Sequence, residues 1–524
     1  MKKVGLLLCG MIICFSSIFV YGDMIEENNI ENEENIQYVD SVSENSRDMR
    51  MIDSLDTTYT NYADGYKISY PKNMWVDTTL SFVKTVIGDD EKEIEIYYDD
   101  FRGTHHYANG YMNYSNAFIK NQKDHYKEYE TNMLINGMKT HLLKWNRKKL
   151  SKVKNDKNYY VSAEIKKNNG EVYTIIIKSV RPFKSYEEYM DIINSFQLVE
   201  KQGEHLLNVK YQATQKNLND ETKEFYNKYF LESNQLKWGI FEPTAPQDFW
   251  YLKGLEEKVD YKFEFLVKYQ SLDSTFPMEE MINAYNHNRY VELTLQTMHM
   301  NEDNKSITYD ILDGKYDEYF KEYARKMKEF NHPILFRLNN EMNGDWCVYS
   351  SYYSSKDTNL YKEVYRYVYD LFEENGVDNV LWVWNPHDLS FPNFKWNHYL
   401  NYYPGNKYVD IVGLTGYNTG TYYKGEKWRE FNEIYLSLYR EYIFIFEQPF
   451  MITEFGSNSV GGDKVKWMRD MFDGFASNHY KNIKVAIWWN GIDWDQEMNP
   501  ARIYRMDRKE EYINTFRERL KFFQ

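Results

Sequence analysis

Two glutamates stand where an apolar run gives way to a polar loop: Glu341 in FRLNNEMNGDW and Glu454 in PFMITEFGS. Each run reads as a strand buried on both faces, and an acid at its end is costly unless it has partners or a task. Two carboxyl groups that converge can break a glycosidic bond. One donates a proton to the leaving oxygen while the other attacks or stabilises the anomeric carbon. At a separation of about 5–5.5 Å the pair retains anomeric configuration through a covalent glycosyl-enzyme. Like-charge proximity raises the pKa of the acid partner. A single Glu at a strand end is ordinarily a solvated or helix-capping residue, so the inference rests on the two together.

Convergence requires a frame, and the second half of the chain supplies one. Short apolar runs begin near Lys237, Phe263, Tyr290, Pro333, Val380, Val409, Pro449 and Ile483. Amphipathic helices are expected between them. Lys315 to Phe330 spaces Tyr316, Phe320, Tyr323, Met327 and Phe330 by fours and threes, and Leu360 to Asn375 stops before Gly376. Such alternation predicts an α/β fold, a (β/α)8 barrel over 236–524, whose reactive groups sit at the C-terminal ends of the strands. A doubly wound open sheet is the alternative, but no glycine-rich phosphate loop follows the first run. Glu341 would follow the fourth strand and Glu454 the seventh, across the barrel mouth from one another. Asn385 and His387 follow the fifth strand and are candidates to line the cleft. Asp493 and Asp495 either bind sugar hydroxyls or shape the last loop. Of Trp382, Trp384, Trp488 and Trp489, about half should face the core, because neighbours in a strand point to opposite sides.

FRLNNEMNGDW, VDIVGLTGYN, PFMITEFGS and VAIWWNG, in this order and spacing, resemble glycoside hydrolase clan A, and most closely family 26, which holds mannanases and mixed-linkage glucanases. The similarity runs from about Lys237 to Gln524. It implies Glu341 as acid/base and Glu454 as nucleophile, with Arg337 and Tyr417 near the nucleophile and Trp346 and Trp488 as sugar-stacking platforms. Family 26 usually has His before the acid/base, whereas Asn340 stands here. Asn-Glu is the commoner pair across the clan, where the amide bonds a sugar 2-hydroxyl.

Ahead of the barrel, four further segments are expected. Residues 1–22 read as a secretory signal: Lys2 and Lys3 precede an apolar run to Val20, with Val20-Tyr21-Gly22 as a cleavage site. An uncleaved membrane anchor is the rival reading. Residues 23–58 form an acidic, aperiodic spacer. Residues 59–202 read as a small α+β sandwich whose DGYKISYP and SYEEYMDIINSFQLV weakly resemble PsbP/Mog1-like modules, and 203–235 as a helical connector. With Cys9 and Cys14 in the signal, cleavage would leave only Cys347 and no internal disulfide.

A net charge of −15 disfavours nucleic acid as a partner. With no HExxH helix, paired cysteines or clustered histidines, no metal or cofactor is expected. The sequence thus points to a secreted, monomeric, retaining endo-β-glycanase. β-1,4 or mixed-linkage glucan is favoured over β-mannan, from the NGDW turn and the Asn340–Glu341 pair. Its partner would be the polysaccharide, and the N-terminal unit would provide any link to the cell envelope or exopolysaccharide synthesis. The rival from another class is a non-catalytic binding or envelope-assembly protein that keeps the barrel as a scaffold.

Overall fold

The computed structural model describes residues 57–524, apart from 105–106, 206–208, 302–304 and 478. The expected signal and nearly all of the spacer lie outside the described residues. The spacer was expected to reach residue 58, but the first strand already starts at Thr57.

The N-terminal unit is built from two antiparallel sheets. One holds β1 (Thr57–Asn61), β2 (Tyr66–Tyr70) and β10 (Gln197–Leu198). The other has seven strands in the order β3-β4-β5-β9-β8-β7-β6. They are β3 (Trp75–Asp77), β4 (Thr85–Gly88), β5 (Lys92–Asp100), β6 (His125–Ile135), β7 (Met138–Arg147), β8 (Tyr159–Asn168) and β9 (Glu171–Ser179). Every residue of β9 is buried. One face of the large sheet packs Ile94, Ile96, Ile175 and Ile177 against Ile192, Ile193 and Phe196, which belong to or follow helix α2 (Glu187–Asn194). The other face also carries apolar residues, including Tyr97, Val172 and Ile176, and these meet helix α1 (Ala108–Ser115) together with Phe394 and Trp396 of the second unit. A sheet apolar on both faces needs two covers, and the barrel is one of them.

The connector differs from expectation. Among its described residues, helix is confined to α3 (Asp220–Tyr226) and the π-helical turn Asn227–Leu231 that continues it. Phe225, Tyr229 and Phe230 then pack with Phe265 and Tyr290, at the starts of the second and third barrel strands, so this short element plugs the bottom of the barrel.

Eight parallel strands close into the expected barrel: β11 (Lys237–Phe241), β12 (Phe265–Ser271), β13 (Tyr290–Gln296), β14 (Ile334–Leu338), β15 (Val380–Trp384), β16 (Ile411–Asn418), β17 (Phe450–Ser457) and β18 (Ile483–Trp489). β11 pairs with β18, from Lys237 opposite Val485 to Phe241 opposite Trp489, which completes closure and excludes the open sheet. The alternation of side chains sorts the core into two shells. Val267, Leu335, Val383, Met451, Val485, Ile487 and Trp489 face inward, while Leu266, Phe336, Trp382, Trp384, Ile452 and Trp488 face the helices. Helices α4 (Trp250–Val259) through α11 (Glu510–Leu520) supply the outer layer, with α7 (Asp317–Phe330) and α8 (Thr358–Glu374) flanking β14. A short hairpin, β19 (Ile492–Trp494) and β20 (Pro500–Ile503), follows β18 at the mouth.

The two units share buried charge. Lys178 of β9 lies 2.9 Å from Asp357, and Lys356 lies 2.9 Å from Glu164 of β8. All four side chains are buried. Tyr160 also donates to Asp357 at 2.9 Å, and Trp396 Nε1 donates to Ser115 at 3.0 Å.

Candidate active site

Glu341 is the third residue beyond β14, in a tight turn where it and Asn339 adopt φ of 53° and 55°. Such a left-handed conformation is uncommon for a residue with a Cβ and persists only where the surroundings enforce it. The enforcement is visible. The Glu341 backbone N–H donates to Asn385 O at 2.8 Å, and Gly344 N donates back to Glu341 O at 2.9 Å. Gly344 must stay small, because a Cβ there would fall 2.5 Å from the Trp346 ring. That ring lies beside the carboxylate, with Trp346 Nε1 donating to Glu341 Oε2 at 3.3 Å. His387 and Phe391 hold the indole from two other sides, each with its ring centroid 5.2 Å away.

Glu454 sits inside β17, where the pairing register with β18 shifts between Ile452 and Phe455. The irregularity turns its side chain into the barrel, and four donors converge on it. Arg337 Nη1 reaches Oε1 at 2.9 Å and Asn340 Nδ2 reaches the same oxygen at 3.3 Å. Tyr417 Oη donates to Oε2 at 3.1 Å, and Tyr269 Oη also donates to Oε2. Arg337 is fully buried, and its Nε bonds Glu292 Oε1 at 2.7 Å and Thr294 at 2.8 Å. Its positive charge thus meets two carboxylates, one on each side.

The electrostatics separate the two expected reactive groups. Burial pushes the Glu341 carboxyl well above the ordinary carboxylate range, and the negative charge of Glu454 pushes it further, against the opposing pull of Arg337 and the Trp346 indole. A carboxyl that holds its proton to higher pH than an ordinary one, beside a second carboxyl group that accepts from four donors, is the arrangement that acid-assisted displacement at a sugar carbon requires. Glu292 is also raised, to about 7, chiefly by burial. His387 lies 3.9 Å from Glu341 through Nε2 and 3.3 Å from Asp388 through Nδ1, and burial lowers its pKa. No group of three or more His, Cys, Asp or Glu side chains among the described residues is arranged to hold a metal ion.

Six of the eight residues singled out in the sequence meet here: Arg337, Asn340, Glu341, Trp346, Tyr417 and Glu454. Asn385 does not line the cleft. It is fully buried, and its Oδ1 accepts from Arg337 at 2.8 Å and from Thr415 at 3.1 Å, so it supports Arg337 from behind. Trp488 is not a sugar platform either. Its ring lies in the layer between barrel and helices against Phe455, Trp467 and Phe516, and its indole donates to Tyr504 O at 3.2 Å. Strand parity assigns the mouth to its neighbour Trp489, which stacks on Phe241 at 5.1 Å and meets Tyr417 edge-on at 6.2 Å. Asp493 is buried and 3.3 Å from Arg502, whereas Asp495 bonds the exposed Tyr422 at 2.8 Å.

Residues 286–439 match the model of Glycosyl hydrolase family 26. The barrel is most like glycoside hydrolase family 26. Endoglucanase H of Acetivibrio thermocellus is 29% identical over 278 residues, which is 51% of this chain and 29% of that protein. A mannan endo-1,4-beta-mannosidase of Bacillus subtilis is 32% identical over 182 residues, 34% of this chain and 43% of that protein. The chain therefore spans less than half the length of either relative. Among solved structures, the catalytic domain of a Bacillus sp. family 26 endo-β-1,4-mannanase superposes with a TM-score of 0.44 at 18% identity, over 60% of this chain and 92% of that one.

Sequence reasoning missed Tyr269 and Glu292, and it left open which of Trp488 and Trp489 takes the mouth. For Glu292 a signal existed. In YVELTLQT, Glu292, Thr294 and Gln296 form a polar stripe of period two inside a strand that must be buried on both faces. The stripe points into the barrel, where Glu292 and Thr294 hold Arg337 and Gln296 Nε2 donates to Asn340 Oδ1 at 3.1 Å.

Proposed function

We propose that this chain is a retaining endo-β-glycanase whose preferred substrate is a β-1,4-mannan. The observation that carries the hydrolytic reading is the pairing of a buried, protonation-prone Glu341 with a Glu454 held by Arg337, Asn340, Tyr417 and Tyr269. In this reading Glu341 gives its proton to the glycosidic oxygen as the bond to the anomeric carbon breaks, and Glu454 forms the new bond to that carbon. Glu341, now a carboxylate, takes a proton from the water that displaces Glu454 and is restored to its acid form. Arg337 and the two tyrosines aim Glu454, while Asn340 is placed to bond the sugar ring attached to it.

For substrate, the mannan endo-1,4-beta-mannosidases among the relatives, those of Bacillus subtilis included, support mannan over the glucan that the sequence alone favours. A glucan reading keeps one specific support, the longer match to an endoglucanase. Product analysis on β-mannan, β-glucan and xylan decides between them, with Glu454→Ala as control. Oligosaccharide release from mannan that vanishes in Glu454→Ala is expected. Release from glucan alone overturns the substrate, and equal release by Glu454→Ala overturns the enzyme reading and favours a binding scaffold.

Export remains part of the proposal, from the Met1–Gly22 segment. Mass spectrometry of the N-terminus of extracellular protein tests it, and a start near Asp23 is the expected result.

A further inference from the structure

The loop that carries Glu341 continues for sixteen more residues to Asp357, which caps helix α8 through a bond to Asn359 N. Every residue from Asn339 to Asp357 is buried except Tyr352 and Tyr353, which are half-buried. Loops of this length ordinarily run over the surface and remain mobile. This one is covered because the N-terminal sandwich sits on it. Trp145 Nε1 of β7 donates to Ser355 Oγ at 3.2 Å, and Lys356 Nζ is shared between Glu164 and Asn116 Oδ1, at 2.9 and 2.7 Å. Ser355 and Lys356 hold φ of 61° and 54°, so the sandwich fixes the far end of the loop in the same uncommon conformation that Glu341 adopts at the near end.

A second contact reaches closer to the chemistry. Tyr114, in the last turn of α1, packs on Tyr352 at 4.9 Å and donates its hydroxyl to Asp345 Oδ2. Asp345 directly precedes Trp346, whose backbone N–H acts on the Asp345 carboxylate and whose indole donates to Glu341. The sequence Tyr114, Asp345, Trp346, Glu341 is thus a continuous set of polar contacts from the sandwich to the expected acid/base.

We infer that the N-terminal sandwich is a positioning element of the active site, acting through Tyr114 and Asp345 on the Trp346–Glu341 pair, and not a detachable accessory module. This rests on the hydrolytic reading above. The indole can hold the Glu341 carboxyl over a glycosidic oxygen only while the Asp345–Trp346 peptide is fixed, and Tyr114 fixes it from outside the barrel. Misplacement of a general acid by a fraction of an ångström is enough to slow proton delivery. A leaving group that needs no proton should escape that penalty.

The test is Tyr114→Phe in the full chain, which keeps the ring on Tyr352 and removes only the hydroxyl. kcat/KM is measured on the polysaccharide and on a 2,4-dinitrophenyl β-glycoside of the same sugar, whose leaving group departs unassisted. A loss of roughly tenfold on the polymer, with a change below about twofold on the activated glycoside, is expected for a positioning role. Equal losses on both substrates, or none on either, overturn it. Hydrogen exchange of peptides spanning 342–357 gives a readout independent of activity. Faster exchange in Tyr114→Phe is expected, and unchanged protection overturns the contact. Wild-type protein inactive on both substrates would fail the hydrolytic reading, while the exchange result would still decide whether Tyr114 holds the loop. Should Tyr114→Phe fold poorly, Asp345→Ala removes the acceptor of the same bond from the other side and must give the same substrate split.

Discussion

Arg337 Nη1 lies 2.9 Å from Glu454 Oε1 in a fully buried contact, with Glu292 bonded to the opposite edge of the same guanidinium. One positive charge is therefore shared between a carboxylate at the mouth and one deeper in the barrel. The arrangement is stiff because the guanidinium is planar, with Nη1 also donating to Asn385 Oδ1 and Nε donating to Thr294 Oγ1.

This gives the first prediction. Arg337→Lys keeps the charge but loses the fork, and kcat/KM should fall about a hundredfold, as for loss of a preorganised donor. Arg337→Met strands two buried carboxylates and should cost about 3–5 kcal/mol of stability. Chemical denaturation of both variants, alongside kinetics, separates the effects. A stable, inactive Arg337→Met would contradict the energetic part.

The raised pKa of Glu341 sets the alkaline limb of the pH–rate profile. Activity on polymer should be present while Glu341 is protonated and be lost as pH climbs through its elevated pKa, well above the ordinary value of 4.5. The sign follows from the acid role, since deprotonation removes the donor. In Glu341→Gln this limb should vanish, and activity should survive only on activated aryl glycosides. A limb at an ordinary carboxylate pKa in the wild type would argue against both burial and the neighbour effect.

The adjacent tryptophans should behave oppositely. Trp488→Ala empties a space in the barrel–helix layer and is expected to cost about 3–5 kcal/mol of stability. Trp489→Ala, at the mouth, should instead raise KM for polymer several-fold. Thermal melts with Michaelis–Menten kinetics distinguish them, and a reversed pattern would contradict the placement of Trp488 outside and Trp489 inside the barrel.

Between the two units, Lys178 neutralises Glu95 at 2.8 Å and Asp357 at 2.9 Å, all three buried. Lys178→Met should cost about 3–5 kcal/mol by leaving the buried Asp357 without its ion-pair partner, while Glu95 keeps Lys84 at 2.5 Å. Because Asp357 also caps α8, the barrel should be weakened along with the sandwich. Calorimetry should show one unfolding transition for the whole body in the wild type, and two independent transitions would contradict the shared interface.

Much of this molecule was legible in its sequence. Strand positions follow from apolar runs, since a central barrel strand is buried on both faces and has little freedom of composition. Glu341 and Glu454 stood out because an acid after such a strand must have a reason. The sequence could not say which face of a strand each residue takes once the strand is irregular. The register shift in β17 turns Glu454 inward, and only pairing with β18 decides that Trp489 lines the mouth while Trp488 packs outside. Asn385 was assigned to the cleft by its place after a strand, but the approach of Arg337 claimed it. Contacts across sequence separations of more than two hundred residues, Tyr114 to Asp345 above all, leave no local pattern, because nothing in the periodicity of either segment depends on its distant partner. The chain's alternations determined the elements and named the two acids; the closing of the barrel and the seating of the sandwich upon its fourth loop determined what surrounds them.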